Sequence, residues 1–352
     1  MKILYYPIIS AAGLNSTQVG DYQTDTLFHG LRSLLGDDVI DGARMWHMYK
    51  KDKGEHPEVF EKLWGKGFTT YGLLPSDDNV DRDDIGTKIR KNYYDYIVAP
   101  IHHTENGNYE AIWSTLQTLT YHYSKEKIIL VDGWDRPDID SRFHNKCIYF
   151  KRELKYKHRQ TIFPISFSIP EEKITTPLKK KFDFAPLVPN SSPEHNSSYI
   201  YNDEESYYND YRQSYFAYTC KKGRKDFIDE AWDSMRHYEI LACGCIPFFT
   251  DIEKCPQFTM RRFPKDLCIQ AKKLVGVLPG TKETYNPSKT TYIGTAEEIH
   301  CGEKRGRIDF DKFDRQAYED LNHLFMEHTR KYLTTISTAK YFLDKIKQWV
   351  SI

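Results

Sequence analysis

The chain has 352 residues, more than a single hydrophobic core usually serves, so its length predicts two domains. Fifty Lys and Arg cancel fifty Asp and Glu, and that balance argues against a protein dedicated to a phosphate backbone, which carries a basic excess. With 39% hydrophobic and 28% charged residues it is neither disordered nor membrane-embedded, and its 26 tyrosines point to side chains that cover ligands and surfaces with a polar tip.

At the N-terminus, Lys2 to Tyr6 is a short apolar run ending at Pro7, which predicts a first strand and is too brief for a signal-peptide core. Gly13 and Gly20 fall in the loop after it, and Thr24 to Leu35 carries Leu27, Phe28, Leu31, Leu34 and Leu35 at helical spacing, closed by Gly36. Tyr96 to Ile101, Lys127 to Val131 and Cys147 to Phe150 read as further buried strands, with a helix from Tyr109 to about Tyr123 between the first two. From about Ser168 to Ser198 the chain is rich in Pro, Lys, Ser and Asn, the texture of a connection and surface loop. The alternation then resumes: Ser214 to Thr219 as strand, Phe227 to Cys243 as helix, Cys245 to Thr250 as strand. A long helical segment, Arg315 to Val350, ends the chain with a break near Thr334 and Thr335. Strands separated by helices imply βαβ units and parallel sheets, here two doubly wound α/β domains. No stretch reaches the ~18 apolar residues of a membrane helix. Seven cysteines without a C-x-x-C pair predict neither a disulfide framework nor a zinc site, so a reduced, cytoplasmic chain is expected, in a host cytoplasm if the source is viral.

Ligands of open α/β sheets bind beyond the carboxyl ends of the strands. That rule selects Gly13, His102 and His103, Asp132, Lys151 and Arg152, and the basic loop Lys221-Lys222-Gly223-Arg224-Lys225. Behind that loop, at 100° per residue, Ile228, Ala231, Trp232, Met235 and Ala242 share a helical stripe with Glu239 in its middle and Arg236 on its flank. A carboxylate on an apolar face needs donors. An internal Arg236–Glu239 ion pair at i, i+3 would supply one. So would a ligand: the basic loop suits a diphosphate and the carboxylate suits ribose hydroxyls, which together would read a nucleotide.

Ser214-Tyr-Phe-Ala-Tyr-Thr-Cys-Lys-Lys-Gly223 followed by Ser234-x-Arg236-x-x-Glu239-x-x-x-x-Gly244-Cys245-Ile246-Pro247 resembles the donor-binding motif of exostosin-like glycosyltransferases and, more loosely, the glycogen-synthase-like GT-B superfamily. Gly20-Asp21-Tyr22 with Phe28 to Asp38 is similar to a segment of glycosyltransferase-like proteins. The specific motif covers about 35 residues, roughly a tenth of the chain. The resemblance implies a GT-B fold of two Rossmann-like domains facing across a cleft. Residues 1–168 would form the acceptor-side domain, 169–198 the connection, 199–332 the nucleotide-sugar domain, and 333–352 a helix returning to the first domain. It further implies Glu239 on the donor ribose, and Arg236 and the Lys222–Gly223 loop on the phosphates, with Ser234 and Gly244 in the same motif. Related retaining enzymes carry a second Glu eight positions earlier, where this chain has Ala231, which leaves the stereochemistry open.

Inversion would need a base, for which His102 and His103 are the first candidates and Asp132 the next. Each has a structural alternative, as a loop cap or turn residue. Lys151 and Arg152 could face the cleft or belong to a solvated charge run. Asp81-x-Asp83 and Asp138-x-Asp140 have the D-x-D spacing of metal-dependent transferases but lie in polar, loop-like surroundings and read as solvated acidic loops, so no metal or cofactor is expected. Missing G-x-G-x-x-G, P-loop and G-x-S-x-G patterns disfavour oxidoreductases, NTPases and serine hydrolases. The leading reading is transfer from a nucleotide-diphosphate sugar, UDP first, to a saccharide hydroxyl. The alternatives are a viral or phage transferase acting on DNA bases and an inactive GT-B sugar- or nucleotide-binding module.

Overall fold

The computed structural model describes residues 1–8, 20–101, 109–139, 141–156, 162–186, 203–221, 231–249, 251–278 and 306–350. The chain divides into two compact units, one of Met1–Pro170, Pro256–Arg261 and Thr334–Ile352, the other of Glu171–Cys255 and Arg262–Leu333.

The first unit holds a six-stranded, wholly parallel sheet in the order β2-β1-β3-β4-β5-β6. Its strands are β1 (Ile3–Tyr5), β2 (Val39–Asp41), β3 (Tyr96–Ile101), β4 (Ile128–Asp132), β5 (Ile148–Lys151) and β6 (Ile162–Pro164). Four are the apolar runs expected from sequence; β2 and β6 are three residues long and carry too little pattern to be foreseen. Continuous apolar runs fit strands covered on both faces. Leu4, Ile97, Ala99, Ile128, Leu130 and Tyr149 pack on one side with Ile112, Leu116 and Leu119 of the helix Tyr109–His122. On the other side, Tyr5 meets Phe28 of α1 (Tyr22–Leu35) at 5.1 Å, and Phe150 meets Phe342 of the C-terminal helix Thr335–Val350 at 4.6 Å. These two helices approach closely because α1 has glycine at the crossing. A Cβ on Gly30 would lie 2.1 Å from the Thr335 carbonyl oxygen.

In the second unit, β7 (Phe182–Phe184), β8 (Ser214–Thr219) and β9 (Ile246–Phe249) form a parallel sheet in that order. Strand β7 lies inside the stretch read from sequence as a connection. Its Phe-Asp-Phe is short, follows three lysines and, among the described residues, pairs on one side only, so no apolar run announces it. The ribbon β10 (Val277–Leu278) and β11 (Arg307–Ile308) is tied to it by Ile308 N–H donating to Asp183 at 2.8 Å. The terminal helical segment is interrupted as its sequence suggests, with Arg315–His328 and a wide turn at Thr329–Leu333 before the second helix begins at Thr335. The fold class is therefore α/β with parallel sheets. Among the described residues no helix is long and apolar enough to cross a membrane.

Tyrosine turns out to serve the interior. Tyr5, Tyr49, Tyr149, Tyr207 and Tyr238 are all under 2% exposed, and each hydroxyl donates to a named acceptor: Thr24 O, Asp41, Asp132, Glu239 and Asp233. The acidic loop from Asp77 is likewise not uniformly solvated. Asp81 is exposed and pairs with Lys88, but Asp77 is buried between Arg44 (2.7 Å) and Arg82 (2.8 Å). Burial pushes the Asp77 carboxyl up, but the hydrogen bonds and charges of the two arginines outweigh it and hold the group below the ordinary carboxylate range. A depressed folded pKa stabilises above the unfolded value and loses that contribution as pH falls through the folded one. Unfolding midpoints should thus decline below about pH 4, and Asp77→Asn should flatten that decline and cost about 1 kcal/mol at neutral pH, read by urea titration at several pH values.

Candidate functional site

Strand β8 ends at Thr219, and Cys220 and Lys221 continue from its carboxyl end. The chain returns at Ala231, whose φ of +60° is left-handed, and enters the helix Met235–Ala242 through the extended Ser234.

That helix, called the site helix below, is shorter than the expected Phe227–Cys243. Residues 227–230 lie outside the described residues, and Ala231 and Trp232 precede the helix instead of sharing its stripe. Apart from the half-buried Arg236, every residue of the helix is buried, so amphipathic spacing is a poor guide here. Its start is clamped to β8 by His237, whose Nδ1 lies 2.7 Å from Thr219 Oγ1 and whose Nε2 lies 2.8 Å from Trp232 O. Tyr238 donates to Asp233 at 2.7 Å across the same turn.

The Ser234 side chain makes no capping hydrogen bond, and Arg236 follows in the first turn. Lys221 sits with its ammonium 5.1 Å from the Trp232 ring centre. Beyond β9, Asp251 has a buried Oδ1 without a hydrogen-bond partner among the described residues. Burial raises its pKa, opposed chiefly by Lys221. Burial likewise pushes the Cys220 thiol to about 12 despite Arg236, so it is a neutral thiol. Two cations at the positive end of a helix favour an anion.

One turn beyond Arg236, Glu239 is wholly buried and accepts from the Tyr207 hydroxyl at 2.6 Å; Tyr211 stands behind with its hydroxyl 3.5 Å from that of Tyr207. Sequence reasoning gave Glu239 a need for donors but not Tyr207, because Glu204–Arg212 is a separate helix more than twenty residues upstream. Asp251 could have been found by the same strand-end rule that selected the other candidates.

Gly244 belongs elsewhere. It terminates the site helix with φ +62°, its N–H donating to Leu241 O at 3.0 Å and that of Cys245 to Ile240 O at 3.2 Å, the paired bonds of a Schellman end. The eight helical residues, about 12 Å long, and the C-cap Cys243 lie between it and Ser234, so the glycine makes the turn into β9 at the other end of the helix.

Asp132, Lys151 and Arg152 do come together, in the first unit. Asp132 is buried and accepts from Tyr149 OH at 2.5 Å, from Trp134 N–H at 2.9 Å and from Lys151 at 2.9 Å. Both oxygens are thus engaged, one by Tyr149 and the other by Trp134 and Lys151. Arg152 donates to Gly133 O at 2.9 Å, pairs with Asp135 and Glu153 and stacks on Phe167, so neither cation is a solvated charge. Gly13, His102, His103, Lys222 and Gly223 lie outside the described residues.

No family model matches the chain, and no curated protein does, so the exostosin-like resemblance rests on its motif. Solved structures do match. An alpha-glucosyltransferase in complex with UDP and a 13-mer DNA containing a central A:G mismatch is 10% identical, with 99% of this chain and 100% of that chain covered and a TM-score of 0.42. An alpha-glucosyltransferase in complex with UDP-glucose and DNA containing an abasic site is 10% identical, with 99% of each chain covered and a TM-score of 0.40.

Proposed function

We propose that the chain is a glycosyltransferase that takes its sugar from a nucleotide-diphosphate donor held by the second unit. The observation that carries this reading is the site helix, which has an uncapped, cation-flanked start and a buried carboxylate one turn further on. Lys221 and Arg236 would neutralise the diphosphate without a metal ion, and Glu239, about 7 Å along the axis from Ser234, would accept from the ribose hydroxyls. In the transfer, the bond from the anomeric carbon to the diphosphate oxygen breaks as one to the acceptor oxygen forms. The diphosphate leaves with the bonding pair, and the acceptor proton passes to a base, for which His102, His103 and Asp132 are the candidates.

Thermal shift and calorimetry with UDP, GDP, ADP and CMP sugars should show at least one that stabilises the chain. Lys221→Ala and Arg236→Ala should each weaken that nucleotide at least tenfold, the worth of one charge-assisted hydrogen bond of about 1.5–3 kcal/mol. Equal binding by both variants would refute the donor site. Transfer from a labelled donor is then assayed with oligosaccharides and with duplex DNA. Product from one acceptor set names the class, and nucleotide binding with neither transfer nor donor hydrolysis would favour an inactive binding module.

A further inference from the structure

The first unit has its own unsatisfied polar site. From β1 the chain passes to β2 on one side, while β3 pairs on the other, so the sheet changes direction between β1 and β3. A crevice outside the strand ends at such a switch point is where open α/β sheets hold ligands. Helix α1 starts at this edge, its N-cap Asp21 accepting from Thr24 N–H at 3.0 Å. In its first turn, Gln23 is 1% exposed, and among the described residues neither its amide nitrogen nor its amide oxygen has a hydrogen-bond partner. Gln23 lies over Gly133, the residue after β4: a Cβ there would stand 3.2 Å from Gln23 Cβ and 3.2 Å from Asp21 Oδ2. A second unsatisfied atom belongs to a ring that contacts the same helix turn through Asp25. His47 Nε2 is 2.9 Å from Asp25 Oδ1, Asp25 Oδ2 accepts from Asp21 N–H at 2.9 Å, and the buried His47 Nδ1 has no partner.

Buried polar atoms are almost always bonded, and exceptions call for an explanation. A structural amide would hold at least one partner within the fold, and among the described residues Gln23 holds none. Its charge surroundings restrict what could complete it. Asp21 and Asp25 flank it on the same helix turn, so the positive end of α1 is already answered by carboxylates and a phosphate is disfavoured, in contrast to the cationic start of the site helix. A primary amide offers one donor group beside one acceptor.

We infer that Gln23, at the start of α1 over Gly133, is the reading group of a binding site for an uncharged ligand edge that pairs a hydrogen-bond donor with an acceptor. Vicinal hydroxyls of a pyranose and the edge of a nucleobase both have that chemistry. In the glycosyl-transfer reading this ligand is the acceptor, but its binding requires no transfer.

Saturation-transfer NMR on the full chain, with methyl glucoside and maltose in one arm and deoxyadenosine and deoxycytidine in the other, should show binding in one arm, which identifies the source. Gln23→Met and Gln23→Leu, which fill the space without polar atoms, should weaken that binding at least tenfold and melt no lower than wild type, while any nucleotide-sugar shift from the second unit persists. Absence of binding in both arms would overturn the site, as would undiminished binding by both variants. A fall in melting temperature of several degrees in both, or failure of both to fold, would show that the amide holds the fold and would equally overturn it. Loss of the nucleotide shift in wild type would instead strike the donor assignment alone.

Discussion

Asp132→Leu should destabilise the chain by about 3–5 kcal/mol, because it leaves the Lys151 ammonium buried without its counter-ion. Both side chains are at most 1% exposed, and the carboxylate also receives the Tyr149 hydroxyl. Burial lowers the Lys151 pKa and Asp132 opposes that, so removal of the carboxylate takes away what keeps the ammonium charged. Lys151→Met should cost a similar amount by stranding the carboxylate. The double variant Asp132→Leu/Lys151→Met should recover most of the loss, since an apolar pair of similar volume replaces a buried ion pair with little net change. Urea unfolding at pH 7 reads all three, and non-additivity of more than 1 kcal/mol marks direct coupling. The pattern separates a structural carboxylate from a catalytic base. A base would lose turnover on substitution while the substrate-free protein kept its stability, whereas here stability falls before any substrate is added.

Asp132 also shows where sequence reading reaches its limit. Strand β4 was legible because Ile128 to Val131 is a continuous apolar run, and the rule that strand ends carry chemistry then drew attention to Asp132, Lys151 and Arg152. Their mutual engagement was not legible, since it depends on β4 and β5 lying side by side with Asp132 opposite Lys151. Short strands escaped for a related reason: Val39–Asp41, Ile162–Pro164 and Phe182–Phe184 have three residues each, and periodicity over three residues carries no information. In the candidate site, Arg236 and Glu239 were visible through their spacing on one helix. The helix start was not, because the left-handed Ala231 and the His237 clamp are tertiary features that override a pattern running back to Phe227. Gln23 had no sequence signal at all. A glutamine in the first turn of a helix is ordinary until the fold buries it without partners.

Glu239 has two separable roles, and the second large effect follows from them. As a buried acceptor it holds Tyr207 at 2.6 Å, so Glu239→Ala should cost about 1.5–3 kcal/mol by leaving that hydroxyl unanswered. Tyr207→Phe removes the same hydrogen bond from the other side and leaves the carboxylate with its other interactions, so it should cost about 1 kcal/mol. Donor binding should divide the variants differently. If the carboxylate accepts from ribose, Glu239→Ala loses charge-assisted bonds and weakens the nucleotide sugar roughly 10- to 100-fold, while Tyr207→Phe stays within about twofold of wild type. Calorimetric titration of the stabilising nucleotide into both variants, well below their melting temperatures, keeps folding out of the comparison. Equal weakening in the two would mean that Glu239 acts only through the position of Tyr207 and the helix it anchors. Undisturbed binding in both would move the ribose to another acceptor at the same strand edge, where the Asp251 carboxylate, with its unpartnered Oδ1, is the residue to replace next.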